Sequence, residues 1–344
     1  MNGLVTLSEI RRQPELWPTT LDLVAHRPIS KAPMITGAGT SAYAAAAIAA
    51  AWPGARSIAA TDLLISKHSP LRQGDLLISL SRSGNSSETV AAIEKIRREN
   101  PGVEQLVITC NLNGRMAAMK DVDCILLDPR TNDQSLVMTS SFSNLVLAGL
   151  GLSGAGVIFG SCGEIARRAA NAMGELETKA EQISRKKVER VCVLASPPLY
   201  ALAREASLKI LEMTAGRIVP MAETFLGLRH GPMSFVDRET LVVCFMSGDA
   251  LVGRYERDLL AELRSKKLGR IVAITPVELD SALCDELVPS LAPELHDDTR
   301  TPFDVVFPQL LAYWLTKAIG ADPDNPSPND VITRVVEGVR IYES

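Results

Sequence analysis

Aromatic side chains are scarce: Phe, Trp and Tyr make up 4% of the 344 residues, while small residues are plentiful. That balance suits tight strand–helix packing in an α/β protein. Neither sign of charge dominates. Lys and Arg number 36 against 40 Asp and Glu, a formal net charge of −4. Nucleic acid as the main partner therefore has no electrostatic support. The six cysteines stand singly at 110, 124, 162, 192, 244 and 284, with no CxxC pair. This excludes a zinc knuckle or a small disulfide scaffold and predicts reduced, mostly buried thiols. Histidines number four, and no His/Cys/Asp/Glu cluster has metal-ligand spacing. No metal and no cofactor is expected. Long apolar runs are also missing. Residues 145–160 form the longest weakly polar stretch, but it carries five glycines and falls short of the ~20 apolar residues of a membrane span. The first 17 residues hold Glu9, Arg11 and Arg12 and no apolar stretch resembling a signal peptide. The expectation is a cytoplasmic protein with no membrane partner.

Strands and helices alternate along the chain. Apolar runs at 33–36, 75–79, 105–109 and 124–127 read as strands, and residues 42–51 and 87–98 read as helices. The second half repeats the order, with strands at 191–194, 241–245, 270–274 and 286–288. Helices are expected at 199–211, 254–264 and 303–319, and a helix over 175–189 bridges the halves. Strands without internal polar alternation are buried on both faces, which predicts parallel sheets covered by helices. Corresponding strand ends, Thr36 and Leu194, Ser81 and Ser247, Thr109 and Ile274, are 158, 166 and 165 residues apart. Such near-constant offsets argue for a duplicated α/β domain. The expected division is an N-terminal helical segment over 1–30, a first domain over 31–180 and a second over 181–344.

Two loops in the first half can hold an anion. Gly37-Ala-Gly-Thr-Ser41 follows the first strand, and Ser81-Arg-Ser-Gly-Asn-Ser86 follows the next. Paired hydroxyl- and glycine-rich loops at neighbouring strand ends suit one phosphate ester gripped from both sides. The first loop also fits the G-x-G-x-x-A dinucleotide fingerprint, with Asp62 at the end of a possible strand 25 residues after Gly37. A nicotinamide enzyme therefore stands as an alternative. Thr139-Ser140-Ser141 reads either as a helix N-cap or as a further contact to the same ligand. In the second half, Ser196-Pro-Pro198 and Ser247-Gly-Asp249 make a poorer cradle. Glu205, Lys209 and Glu212 share one face of a helix whose other positions are largely apolar. Such a trio is either a salt-bridge stripe or a tuned proton-transfer group. His230 sits in a loop beside Gly231-Pro232.

Together these stretches resemble the sugar isomerase (SIS) domain family. The likeness is carried by residues 37–41, 81–86, 132–142, 205–212 and 223–237. It implies two tandem SIS domains, each a mostly parallel sheet in a three-layer α/β/α arrangement. The longer stretches resemble the tagatose-6-phosphate ketose/aldose isomerase and galactosamine-6-phosphate deaminase/isomerase group, and the isomerase half of glucosamine-6-phosphate synthase. The resemblance implies phosphate binding by Thr40, Ser41, Ser81, Ser83 and Ser86. It implies further substrate contacts at Gly39, Arg82, Thr139, Ser140 and Ser141. Glu212 matches the glutamate that moves the proton between C1 and C2, and Glu205 and Lys209 match the helix's other charged positions. His230 matches the ring-opening histidine supplied by a neighbouring subunit, which implies at least a homodimer. Arg82 replaces the synthase's glutamine, and the tail 339–344 lacks its terminal lysine. No glutaminase domain is expected before residue 1. The expected activity is aldose–ketose isomerisation of a hexose or hexosamine 6-phosphate, with deamination. SIS domains also serve as sugar-phosphate-binding regulatory modules, which leaves a non-catalytic regulatory protein as the second alternative.

Overall fold

The structure, a computed structural model, describes residues 3–327, 331–336 and 338–342. The last two residues of the tail, 343 and 344, lie outside the described residues. The chain divides into two compact units. One comprises residues 12–163 with 328–344, and the other 1–11 with 164–327. Two of the three divisions fall inside the helices α1 (Leu4–Val24) and α6 (Gly156–Ser184), and the third follows Ser327.

The unit of residues 12–163 runs β1 (Met34–Gly37), α2 (Thr40–Ala51), β2 (Arg56–Ala59), α3 (Ala60–Ile65), β3 (Leu76–Ser81), α4 (Ser87–Glu99), β4 (Glu104–Thr109), β5 (Asp123–Leu126) and α5 (Ser140–Leu152). Its sheet has the order β2-β1-β3-β4-β5, and every pair is parallel. The other unit runs β6 (Arg190–Ala195), α7 (Tyr200–Met213), β7 (Val219–Glu223), α8 (Phe225–Leu228), β8 (Leu241–Phe245), α9 (Ala250–Ser265), β9 (Arg270–Thr275), β10 (Glu286–Pro289), α10 (Thr301–Asp304) and α11 (Val306–Ala318). Its sheet reads β7-β6-β8-β9-β10, again all parallel. Each sheet thus starts with a middle strand, steps to one edge, then crosses back and builds outward. That order has its switch point between the first and third strands, where α/β proteins bind ligands beyond the carboxyl ends.

The continuous apolar runs became the central strands β3, β4, β6, β8 and β9, buried along most or all of their length. The edge strands β2 and β7 carry exposed positions, Arg56, Ser57 and Val219 among them; the possible strand before Asp62 ends three residues earlier, at Ala59, and no strand is expected where β7 lies. The bridging helix expected over 175–189 is the end of α6, which starts at Gly156. The long helix expected over 303–319 is broken at Val305 into α10 and α11. All six cysteines are free, and all but Cys124 are buried. Burial pushes the thiols of Cys110, Cys162 and Cys192 up to about 12, so they behave as small apolar side chains.

Candidate active site

The two anion loops follow β1 and β3 and so flank the switch point of the first sheet. Gly37 is dictated by packing: a Cβ there would lie 2.7 Å from the carbonyl oxygen of Ser41 in the first turn of α2. Gly39 precedes that helix with φ of 56°, in the left-handed region that favours glycine. Together they turn the chain so that Thr40 and Ser41 open α2. In the second loop, Ser81 Oγ accepts from the Gly84 N–H at 2.9 Å, and Ser83 Oγ accepts from the Asn85 N–H at 3.1 Å. The serines thus build the loop, and each O–H remains a donor for a ligand. Ser86 immediately precedes α4.

Arg82 is buried and holds the loop to the segment before α5, donating to the carbonyls of Ser135 and Leu136. Its Nη2 also donates to the carbonyl of Arg334 in the tail. Arg334 in turn donates to Asn132 Oδ1 at 2.7 Å and to the Asp133 carbonyl. The Ser87 N–H, at the start of α4, donates to the Val336 carbonyl at 3.3 Å. Tail residues 334 and 336 therefore border the loop. The sequence reading compared the tail only with the synthase's terminal lysine and had no signal for Arg334.

Thr139, Ser140 and Ser141 are placed differently from a substrate-contact reading. All three are fully buried, and their amides and hydroxyls donate to the buried carboxylate of Asp133. Thr139 does not cap α5 with its own side chain, as the helix-cap alternative expects; the Asp133 carboxylate, six residues upstream, accepts from the first amides instead. We expect Asp133→Ala to cost at least the upper end of an N-cap loss, about 2 kcal/mol, because several buried donors lose one acceptor together. Denaturant unfolding measures it, and a loss under about 0.5 kcal/mol would count against this role.

In the other unit, α7 packs on β6, β7 and α11. Glu205 and Lys209 are fully buried, and Glu212 is 25% exposed. Lys209 Nζ lies 3.5 Å from Glu205 Oε1 and 2.5 Å from Glu212 Oε2. One cation thus holds two carboxylates, one sealed and one open to solvent. This is no solvated stripe, because two of its three members have no contact with water. His230 is exposed in the loop after α8. Thr224 caps α8 by accepting from the Gly227 N–H, and the His230 N–H donates to the Gly227 carbonyl at 2.9 Å. No hydrogen bond or ion pair among the described residues joins the His230 side chain to the trio. Asp62 sits exposed in the first turn of α3 and not at a strand end, which corrects the geometry of the nicotinamide alternative. Among the described residues no His/Cys/Asp/Glu group is placed to hold a metal. No helix among them is long and apolar enough to cross a membrane.

The SIS domain family model matches residues 30–150. The D-galactosamine-6-phosphate deaminase AgaS of Shewanella sp. (strain ANA-3) is 33% identical, over 98% of this chain and 91% of that protein. This chain belongs to the SIS domain family. A tagatose-6-phosphate ketose/aldose isomerase from Escherichia coli superposes with a TM-score of 0.87 at 30% identity, over 99% of this chain and 97% of that one. The C-terminal domain of glucosamine-fructose-6-phosphate aminotransferase from Francisella tularensis superposes at 0.79 with 19% identity, a likeness of fold over 93% of this chain and 98% of that one. The two sheets are thus tandem SIS domains, of which the family model matches the first.

Proposed function

We propose that this SIS protein is a phosphosugar aldose–ketose isomerase that acts on a hexosamine 6-phosphate of the galacto series and releases ammonia. The observation that carries the catalytic part is the Glu205–Lys209–Glu212 trio, which leaves one carboxylate at the solvent side of a buried ion cluster. The relatives' printed activities support the substrate class.

The chemistry follows from these groups. The sugar phosphate docks by its phosphate at Thr40, Ser41, Ser81, Ser83 and Ser86, and this remote binding orients the reacting carbons. Ring opening, assisted by His230, exposes the C1 aldehyde. Glu212 removes the proton from C2, and the electron pair moves to give an enolamine. Protonation at C1 leaves an imine at C2. Water adds there and ammonia leaves, so one water is consumed and one ammonia released with no net redox change. Lys209 holds the Glu212 carboxylate in place.

We expect Ser81→Ala combined with Ser83→Ala to raise KM at least tenfold, since each hydrogen bond to a charged group is worth about 1.5–3 kcal/mol. An unchanged KM for galactosamine 6-phosphate removes the cradle from the account. His230 is assigned to the site of a neighbouring subunit, which makes the active unit at least a homodimer in the cytoplasm. Mixing inactive His230→Ala with inactive Glu212→Gln chains is expected to restore part of the activity through shared sites. No restoration after subunit exchange would place His230 in its own chain's site. A purely regulatory sugar-phosphate binder would bind the sugar and release no ammonia.

A further inference from the structure

The second sheet repeats the first strand for strand, so it has its own switch-point crevice, between β6 and β8. Its rim is formed by Ser196 and by Ser247-Gly248-Asp249. In the first unit the corresponding loops present serine hydroxyls. Here the matching donors are already taken by carboxylates of the same unit. Glu256, fully buried on α9, accepts from the Ser247 N–H at 2.7 Å. Asp297 accepts from the Ser247 hydroxyl and, at 2.9 Å, from the Gly248 N–H. Arg300, fully buried, donates from Nε to Asp297 at 3.2 Å, from Nη1 to Asp304 at 2.8 Å, and from Nη2 to the Met246 carbonyl. Glu256 Oε1 is buried with no hydrogen-bond partner. Burial pushes the Glu256 and Asp304 carboxyls above the usual range.

A loop hydroxyl, a loop amide and a guanidinium converging on one oxyanion is the arrangement by which strand-end loops hold phosphate. We infer that the second crevice is a phosphate-type anion cradle closed by its own carboxylate, with Asp297 in the anion's place. Removing that carboxylate opens a site for a phosphate-sized oxyanion at Ser247, Gly248 and Arg300. Asp297 is the route in, because its side chain keeps 13% of its exposure while Arg300 has none. Arg300 stays paired with Asp304, so the opened site gains three donors without a free net charge. In the natural chain the closure leaves the second unit without a phosphate site and restricts each chain to the cradle of the first.

Inorganic phosphate titrated into the full-length chain tests this, by calorimetry and by thermal melting. Asp297→Ala is expected to bind one more phosphate per chain than the unaltered protein. It should also show a saturable rise in Tm that chloride at equal ionic strength does not reproduce. Asp297→Asn keeps the place filled, with Oδ1 accepting from Gly248 and Nδ2 turned to the Ser247 oxygen, and is expected to gain no site. The readout is a difference between chains, so it holds whether or not the first crevice binds phosphate. Failure here and failure of the proposed function are therefore separate results. An alanine chain that folds only in phosphate supports the closure, since the anion then replaces the carboxylate. A folded alanine chain that binds no additional phosphate overturns it. So does an alanine chain unfolded with and without phosphate, or a folded Asp297→Ser chain that gains no site.

Discussion

Glu212→Gln is expected to lower turnover by about 10²–10⁴ while KM for the sugar phosphate changes little. Glutamine keeps the volume and the oxygen facing Lys209 Nζ, which lies 2.5 Å from Glu212 Oε2. It loses the basicity, and a positioned general base contributes about that factor. The substitution leaves the phosphate contacts proposed for Ser81 and Ser83 untouched, so binding energy from that end of the substrate is expected to be retained. Steady-state ammonia release with galactosamine 6-phosphate gives both constants. A variant with wild-type turnover assigns Glu212 a structural role and moves the base to Glu205 or Glu223. Glu205 is fully buried, and Glu223 Oε1 already accepts from the Thr224 N–H at 2.7 Å.

The second large effect is on stability. Lys209→Met removes the cation from between two carboxylates, one of them fully buried. Breaking a buried ion pair from one side costs about 3–5 kcal/mol, because the remaining charge stays desolvated. Adding Glu205→Gln to Lys209→Met is expected to recover a large part of that loss, since the uncompensated charge is then gone. Denaturant unfolding of the two single variants and the double variant measures the coupling. Additive losses with no recovery would mean that Lys209 stabilises by packing alone.

The trio was legible because charges at i, i+4 and i+7 stood among apolar residues, and neighbouring helix positions report burial directly. The cradle loops were legible for a similar reason: serines and glycines punctuate otherwise continuous apolar strands. Of the four edge strands, β7 was not legible and β2 only with a misplaced end, because polar or proline positions interrupt the short apolar runs of Arg56–Ala59 and Val219–Glu223. Asp133 was missed because its partners begin six residues on, beyond the spacing of a simple cap. The ion network of Glu256, Asp297, Arg300 and Asp304 had no local signature. A charged residue in a helix reads as a solvated face, and the pairing of Ser247 with Asp297 spans 50 residues. The break at Val305 does have a local cause in the sequence, because Pro308 has no N–H to bond back to Asp304, but the apolar pattern on either side masks it.

The central claim is proton transfer between C1 and C2 of a hexosamine 6-phosphate, with Glu212 as the base. NMR of the reaction run in deuterated water reads it directly. The account predicts that the unaltered protein converts galactosamine 6-phosphate to a ketose 6-phosphate whose new C1 hydrogen is delivered by Glu212, carried over from C2 or exchanged on the way for solvent deuterium, with one ammonia released per ketose. Glu212→Gln should lose this transfer and the product together. Ammonia released with no hydrogen gained at C1, or ketose formed at the wild-type rate by Glu212→Gln, would contradict the account.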